Sequence, residues 1–339
     1  MKTAVVILNW NGEKFLEKFL PGVIKTSKGT AEVVVADNCS DDNSVEFIKK
    51  NFPEVRIIQN PDNGGFAKGY NQALAQIESE FYILLNSDIE VTDGWIEPVI
   101  ELMETDEKIA ACQPKILSYY EKNKFEYAGA AGGFIDKYGY PFCRGRVFQS
   151  IEEDKGQYDD NTEVFWATGA CMFVRSKLFH DIGGFDGDFF AHMEEIDICW
   201  RLKHAGYKIM YCGASKIYHI GGGSLNKTSA RKTYLNMRNN ATMIYKNLPR
   251  KQLYPVFFFR FILDLAAAMK FLIDGGFKHF IAVLRAHIGF YFSYRKNRGK
   301  RSRIKHRNVE QIYQGNIAFD HFGQGVKEFA QLDSGKFSK

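Results

Sequence analysis

Tyr82-Ile83-Leu84-Leu85-Asn86-Ser87-Asp88-Ile89-Glu90 is an apolar run, of the kind buried in a parallel strand, that stops at an isolated acid inside a polar triplet. Strands covered on both faces of an α/β sheet lack the alternation of half-exposed ones, and ligands collect beyond their carboxyl ends. Asp88 therefore stands where a carboxylate can hold a hard divalent cation across a diphosphate. The same triplet is also ordinary turn chemistry. Its surroundings along the chain decide between the two.

Earlier segments repeat the arrangement. Residues 3–8 are a β-branched apolar run, and Phe15, Leu16, Phe19, Leu20 and Val23 then recur at the spacing of one helical face. Residues 33–36 end at Asp37 and a turn cluster, before a helix expected over 44–51. Residues 55–59 end at Asn60-Pro61-Asp62-Asn63-Gly64-Gly65, before a helix over 66–77. With residues 81–85 as a fourth strand, the pattern predicts an α/β fold whose mixed, mostly parallel sheet carries helices on both faces. Residues 106–163 alternate short apolar runs with Gly-rich and charged loops, and read as an irregular excursion. Order returns at residues 164–174, strand-like around a Thr168-Gly169-Ala170 break that lets a substrate approach the backbone. A helix then begins near His192-Met193-Glu194-Glu195-Ile196-Asp197, its first turn crowded with acids.

Composition sets the bounds. With 339 residues, 45% apolar and 25% charged, the chain is globular, with room for one large domain and a smaller appendage. The six cysteines form no Cys-x-x-Cys pair and no zinc-ligand spacing, so reduced thiols are expected. The first residues run straight into a strand without the pattern of a secretory leader, which points to a cytosolic protein. Net charge is +5, yet residues 275–309 hold ten Lys or Arg and no acid, so the remainder sums to −5.

Several segments stand in a specific order and spacing: Val6-Ile7-Leu8-Asn9-Trp10-Asn11-Gly12, Val35-Ala36-Asp37-Asn38-Cys39-Ser40-Asp41-Asp42-Asn43-Ser44, and Asn63-Gly64-Gly65-Phe66-Ala67-Lys68-Gly69-Tyr70-Asn71. Leu85-Asn86-Ser87-Asp88, Gly183-Gly184-Phe185-Asp186, Glu194-Glu195-Ile196-Asp197 and Tyr218-His219 complete the set. Together, over residues 3–238, they resemble an inverting glycosyltransferase of family 2 with the GT-A fold, and within it the rhamnosyltransferase-like branch of bacterial polysaccharide assembly. The resemblance implies that Asp37 accepts the N3–H of uracil or thymine, with Asn9, Gly64, Gly65, Phe66, Lys68 and Asn86 around the same nucleotide sugar. Asp88 and His219 would hold Mg²⁺ or Mn²⁺. The family's Asp-x-Asp has Asn86 at its first position here, which removes one carboxylate. Glu195 occupies the base position, usually an Asp, where a carboxylate takes the acceptor's proton. Glu194 is the fallback, and Trp166, Thr168, Gly169 and Asp197 would line the acceptor side. Asp197 and Arg201 are also spaced as an i, i+4 pair.

Domain boundaries are expected at a catalytic region over 1–225, a helical basic region over 226–310 and a final stretch, 311–339, without a readable role. Gly221-Gly222-Gly223-Ser224 reads as a lid over the donor. Residues 256–273 are very apolar, but Arg260, Asp264, Lys270 and Asp274 make one polar stripe, giving an amphipathic helix that either lies on a bilayer or packs on the catalytic domain. Eight of the thirteen residues 295–307 are Lys or Arg beside Phe290, Tyr291, Phe292 and Tyr294, which suits anionic lipid. No nucleic-acid module is visible. The expectation is a peripheral enzyme on the inner face of the membrane, docked through 256–307, moving a sugar from a UDP- or dTDP-sugar to a saccharide or lipid-linked acceptor. The rivals are a catalytically degenerate nucleotide-sugar binder and a sugar nucleotidyltransferase. The latter wants a Gly-rich, Arg-containing loop where Asn9-Trp10-Asn11-Gly12 stands. A processive synthase would carry Gln-x-x-Arg-Trp and several spanning helices, and neither is seen.

Overall fold

The computed structural model describes residues 1–221 and 229–338; residues 222–224 of the expected lid lie outside the described residues. In chain order the first half runs β1 (Thr3–Asn9), α1 (Glu13–Ser27), β2 (Glu32–Asp37), α2 (Ser44–Asn51), β3 (Arg56–Gln59), α3 (Gly65–Leu74), β4 (Phe81–Asn86), β5 (Ile89–Val91), α4 (Glu97–Glu104) and β6 (Ile109–Ser118). Four short strands follow, β7 (Gly133–Asp136), β8 (Pro141–Cys143), β9 (Arg146–Val147) and β10 (Ser150–Ile151), then β11 (Asn161–Val164), β12 (Cys171–Arg175), α5 (Ser176–Asp181), α6 (Glu194–His204) and β13 (Lys208–His219). The rest is helical apart from one strand: α7 (Ala230–Asn247), α8 (Arg250–Ile273), α9 (Phe277–Phe292), α10 (Tyr294–Arg301), β14 (Ile312–Tyr313) and α11 (Ile317–Phe322).

The described strands form two sheets. The larger has the order β11-β13-β6-β12-β4-β1-β2-β3, with β5 pairing off β13. β1 is parallel to β2 and β4, β2 to β3, and β6 to β13, whereas β12 runs antiparallel to both β4 and β6. The sheet is thus mixed and covered on both faces, as expected. Strand periodicity sorts the side chains. Val5, Ile7, Ile83 and Leu85 point to the layer of α1 and α4, and Ala4, Val6, Tyr82 and Leu84 to that of α3 and α6.

Two expectations need correction. Residues 106–163 are no irregular excursion: β6 is a long strand inside the main sheet, buried over nearly its whole length, and β7–β10 form a second sheet. A strand buried on both faces, interrupted here by Gln113-Pro114-Lys115, and two-residue strands both lack the alternation that sequence reading depends on. Residues 311–339 likewise have a place, because β14 pairs in parallel with β7 (Ile312 with Ile135, Tyr313 with Asp136). Tyr313 and Ile317 are buried in the core, and the Ile317 N–H donates to Asp136 at 3.1 Å.

The basic segment is tied to the body. Lys296 reaches Asp188 at 2.6 Å, Lys300 pairs with Asp186 and Asp188, and Arg301 and His306 cap carbonyls at the C-terminal end of α7, where cations oppose the helix dipole.

Candidate functional site

The carboxyl ends of β1, β2 and β4 lie in register, Asn9 beside Asp37 and Leu8 beside Asn86. Sheet topology alone therefore gathers Asn9, Asp37 and the Asn86–Asp88 turn at one edge. Asp37 is buried and held in place: its Oδ1 accepts from Asn9 Nδ2 at 3.1 Å and Ser40 Oγ at 2.6 Å, and its Oδ2 from the Ser40 N–H at 3.0 Å. A carboxylate has about four lone-pair positions, so one acceptor position remains on Oδ2. Asn9 Oδ1 is buried without a partner. A Cβ on Gly12 would stand 2.3 Å from that oxygen, which explains the glycine.

The loop into α3 is fastened to the approach of α6. The Phe66 N–H donates to the Phe190 carbonyl at 2.6 Å, and Asn71 and Phe185 exchange bonds of 2.8 and 3.0 Å. Gly65, at φ +70°, would carry its Cβ 2.4 Å from the Phe190 oxygen, so only glycine fits. A Cβ on Gly169 would meet the Phe66 ring at 2.9 Å, and the Asn86 N–H bonds the Ala170 carbonyl at 3.0 Å. Gly65, Phe66, Asn86 and Gly169 therefore stand together. Gly64 is covered by the Lys68 stem, whose ammonium is exposed and pairs with Asp62 at 2.7 Å.

His219, the last residue of β13, is buried between two carboxylates. Its Nε2 lies 3.1 Å from Asp88 Oδ1 and its Nδ1 3.3 Å from Glu126 Oε2. Burial alone would lower its pKa, but the charge of Glu126 and the bonds to Asp88 and Glu126 outweigh that and push it up to about 10. The imidazole ring thus lies between the two acids. Among the described residues no group of three or more His, Cys, Asp or Glu side chains is arranged to hold a metal ion. Asp88 and His219 bring one carboxylate and one imidazole together at the sheet edge. That suits a cation whose remaining positions are filled by phosphate oxygens and water. Glu126 escaped the sequence reading because it lies between β6 and β7, in the stretch that looked irregular.

On the other side, Glu194 and Glu195 open α6. Glu194 is buried and Glu195 partly exposed, and one carboxylate oxygen of each has no partner. Burial raises both, Glu194 well above the usual range and Glu195 to about 7. The backbone leading to them is strained, with Phe190, His192 and Met193 at φ of 64°, 73° and 74°. Two residues of α7 hold it. Asn239 Nδ2 lies 2.9, 2.9 and 2.8 Å from the carbonyls of Phe189, Ala191 and His192, and Arg238 Nη2 donates to Asp188 and Phe189. Sequence reading gave Arg238 and Asn239 no task, since a residue nearly fifty positions away carries no local signal for a turn it holds.

Three acceptor-side expectations are corrected. Asp197 is fully buried, with Arg201 at 2.9 Å, Lys246 at 2.9 Å and Asn247 at 2.9 Å on its oxygens. Burial raises its pKa, but the Lys246 and Arg201 charges lower it further than that. It anchors α6 to α7 and has no face toward an acceptor. Trp166 is buried and gives its indole N–H to the Phe134 carbonyl at 3.0 Å. Thr168 is buried, with its hydroxyl on the Ala128 carbonyl and accepting from the Ala170 N–H at 3.2 Å. Through its indole bond Trp166 reaches β7 of the second sheet. The break that Trp166 and Thr168 flank is a real interruption between β11 and β12, but of these residues only Gly169 touches the cleft loop.

Comparison with known proteins bears on the family and the fold. The chain is 24% identical over 256 residues to an N-acetylglucosaminyl-diphospho-decaprenol L-rhamnosyltransferase of Mycobacterium tuberculosis, covering 71% of this chain and 82% of that one. It is 23% identical over 246 residues to the low-salt glycan biosynthesis hexosyltransferase Agl10 of Haloferax volcanii, covering 70% and 73%. In fold it is similar to the mannosyltransferase PcManGT of Pyrobaculum calidifontis, solved with GDP-Man and Mn²⁺, at TM-score 0.52 and 13% identity over 89% of this chain and 84% of that one. GalNAc-T7, solved with UDP, GalNAc and Mn²⁺, gives TM-score 0.57 and 17% identity over 74% of this chain, which spans about half (48%) of that protein. The profile described as Glycosyl transferase family 2 matches residues 4–183, just over half the chain, and the protein belongs to that family.

Proposed function

We propose that the protein transfers a glycosyl group with inversion from a UDP- or dTDP-sugar to the hydroxyl of a saccharide or lipid-linked acceptor. The observation that carries this is the joining of two unlike sets of polar groups through one backbone contact. Asp37 and Asn9 offer a fixed acceptor and an unpartnered oxygen at the strand ends. Opposite them, Glu194 and Glu195 present unpartnered carboxylate oxygens at a helix N-terminus. The Phe66–Phe190 bond ties the two together.

In this reading Asp37 Oδ2 takes the base N3–H, and the backbone of Gly64, Gly65 and Phe66 lies along the nucleotide. Asp88 and His219 would hold Mg²⁺ or Mn²⁺, which when bound neutralises charge on the departing diphosphate. Glu195, the more open of the two acids, takes the proton of the acceptor hydroxyl as its oxygen attacks the anomeric carbon. A pKa of about 7 suits a base working near neutrality. The relatives' work on lipid-linked and surface glycans supports an acceptor at a membrane, with the anionic inner surface against residues 256–307 as partner. Among the described residues no helix is long and apolar enough to cross a membrane.

The test is a screen of nucleotide sugars for nucleoside-diphosphate release by the purified protein with Mn²⁺. UDP- or dTDP-sugars are expected to turn over. Nucleotide binding without release from any sugar would favour a degenerate binder, and pyrophosphate-dependent exchange would favour a nucleotidyltransferase.

A further inference from the structure

Helix α8 is turned the opposite way from a soluble surface helix. Its central charges face the protein: Arg260 and Asp264 are buried and pair at 3.0 Å. The guanidinium lies 3.8 Å over the Tyr140 ring, the Tyr140 hydroxyl donates to Asp264 at 3.3 Å, and His287 of α9 stands 3.4 Å from the second Asp264 oxygen. The outward side is apolar. Phe258 (63% exposed), Phe261, Ile262 and Leu265 follow one stripe of α8, and Ile288 and Phe292 (88% exposed) follow one of α9. Phe258 and Phe261 line a 350 Å³ cleft together with Tyr291 of α9, with Arg260, Asp264 and His287 also in its lining, so the apolar rims of the two helices flank that cleft. Such patches mark contact with something equally apolar.

The border of this surface is cationic. Lys251, Lys278, Arg285, Arg295 and Arg298 are exposed around it. Between residues 250 and 309 the acids are Asp264, which is buried, and Asp274, which pairs with Lys270 at 2.7 Å. A two-fold contact with a second copy would set that cationic rim against itself. An anionic bilayer supplies both the apolar interior and the missing negative charge.

We infer that α8 and α9 form a hairpin that lies flat in the headgroup layer of an anionic bilayer, with the Phe258–Leu265 and Ile288–Phe292 side in the acyl chains. Apolar insertion, more than the basic run, then holds the protein down. Lys296, Lys300 and Arg301 of that run are engaged inside the molecule. The hairpin also carries α7: Thr233 bonds His279 at 2.8 Å, and a Cβ on Gly289 would touch the Tyr234 hydroxyl at 2.7 Å. Since α7 holds the turn before Glu194 and Glu195, membrane contact orients the acceptor side. Resting on the transfer reading above, this selects an acceptor hydroxyl carried on a lipid of the same leaflet.

The experiment is flotation of the full chain, without donor or acceptor, on vesicles of phosphatidylcholine with and without phosphatidylglycerol. The protein should float with the anionic vesicles and stay largely bound at about 0.5 M salt, where surface charge is screened over a few ångströms. Ile262→Asp with Leu265→Asp and Ile288→Asp should lower partition by about tenfold or more, with the melting curve and nucleoside-diphosphate release unchanged. Should that triple variant misfold, Ile262→Asn with Ile288→Asn gives a milder version of the same loss. Absence of binding, full release by salt, or unchanged partition of the variants overturns the inference. So does a vesicle-free dimer that these substitutions convert to monomers, which would assign the face to a second copy. Because no turnover is measured in flotation, its failure leaves the transfer reading standing, and the reverse also holds.

Discussion

The donor edge and the acceptor edge of the cleft are built by different means. At the donor edge, Asn9, Asp37 and Ser40 bond one another, and the strands that carry them are neighbours in register. At the acceptor edge, Glu194 and Glu195 keep unpartnered oxygens, and their strained approach is held by Asn239 and Arg238 from a helix nearly fifty residues on. On the proposed reading, the difference teaches that the part recognising the nucleotide is prearranged, whereas the part meeting the acceptor hydroxyl keeps its groups open. Unpartnered buried carboxylates cost stability. That cost persists where the reaction needs a base that nothing else has claimed.

The largest effect should break the donor edge. Asp88→Asn, or chelation of the wild type, should lower turnover by about 10³-fold or more, because a bound cation supplies several kcal/mol of charge stabilisation, while circular dichroism stays unchanged. Full activity after chelation would remove the metal from Asp88 and His219.

Next comes the acceptor edge. Glu195→Gln should lower kcat by a factor on the order of 10² with donor binding nearly intact, and Glu194→Gln should be milder. A base must be unprotonated, so the wild-type rate should fall as pH drops through about 7, and the Glu195→Gln profile should be flat there. The reverse ranking would transfer the base to Glu194.

A smaller change sharpens the comparison. Glu126 stands 3.3 Å from His219 Nδ1, and if His219 holds the proposed cation, loss of such a partner weakens metal binding by about 10- to 100-fold. Glu126→Gln should therefore weaken Mn²⁺ binding in the presence of UDP, read by calorimetry, toward the lower end of that range. Unaltered affinity would make Glu126 a neighbour only.

The smallest effect tests whether the edges are separable. Asn239→Ala leaves the carbonyls of the strained turn without their donor, at about 1–3 kcal/mol, so melting should occur earlier and kcat fall severalfold. UDP binding should hardly move. An equal loss of both would show that the Phe66–Phe190 link transmits strain to the donor edge.

Much of the donor edge was legible because its residues sit at strand ends, where a run of apolar residues and its terminus are both local signals. Asp37, Asp88 and the Gly64-Gly65-Phe66 loop were placed after strands that way, the roles of Asp37 and the loop coming from the resemblance, and α2 has the bounds expected of it. Glu126, Ser40 and Asn239 were not singled out, because each acts through a contact set by tertiary packing. Asp197 misled for a related reason. An acid in a helix's first turn next to two catalytic candidates looks like a third, and only Lys246 and Asn247, some fifty residues away, show it to be an anchor. The polar stripe of α8 was visible, but a helical wheel does not say which side faces in.

The pairing of β14 with β7 joins residues about 175 positions apart, and that has a consequence for the order of events on the ribosome. Until residue 313 has left the exit tunnel, β7 is a bare sheet edge and the platform that carries Glu126 lacks its last strand. Contacts this distant in sequence close late. A nascent chain can therefore pair the strands of its main sheet early, yet β7 gains its last neighbour only near the end of translation.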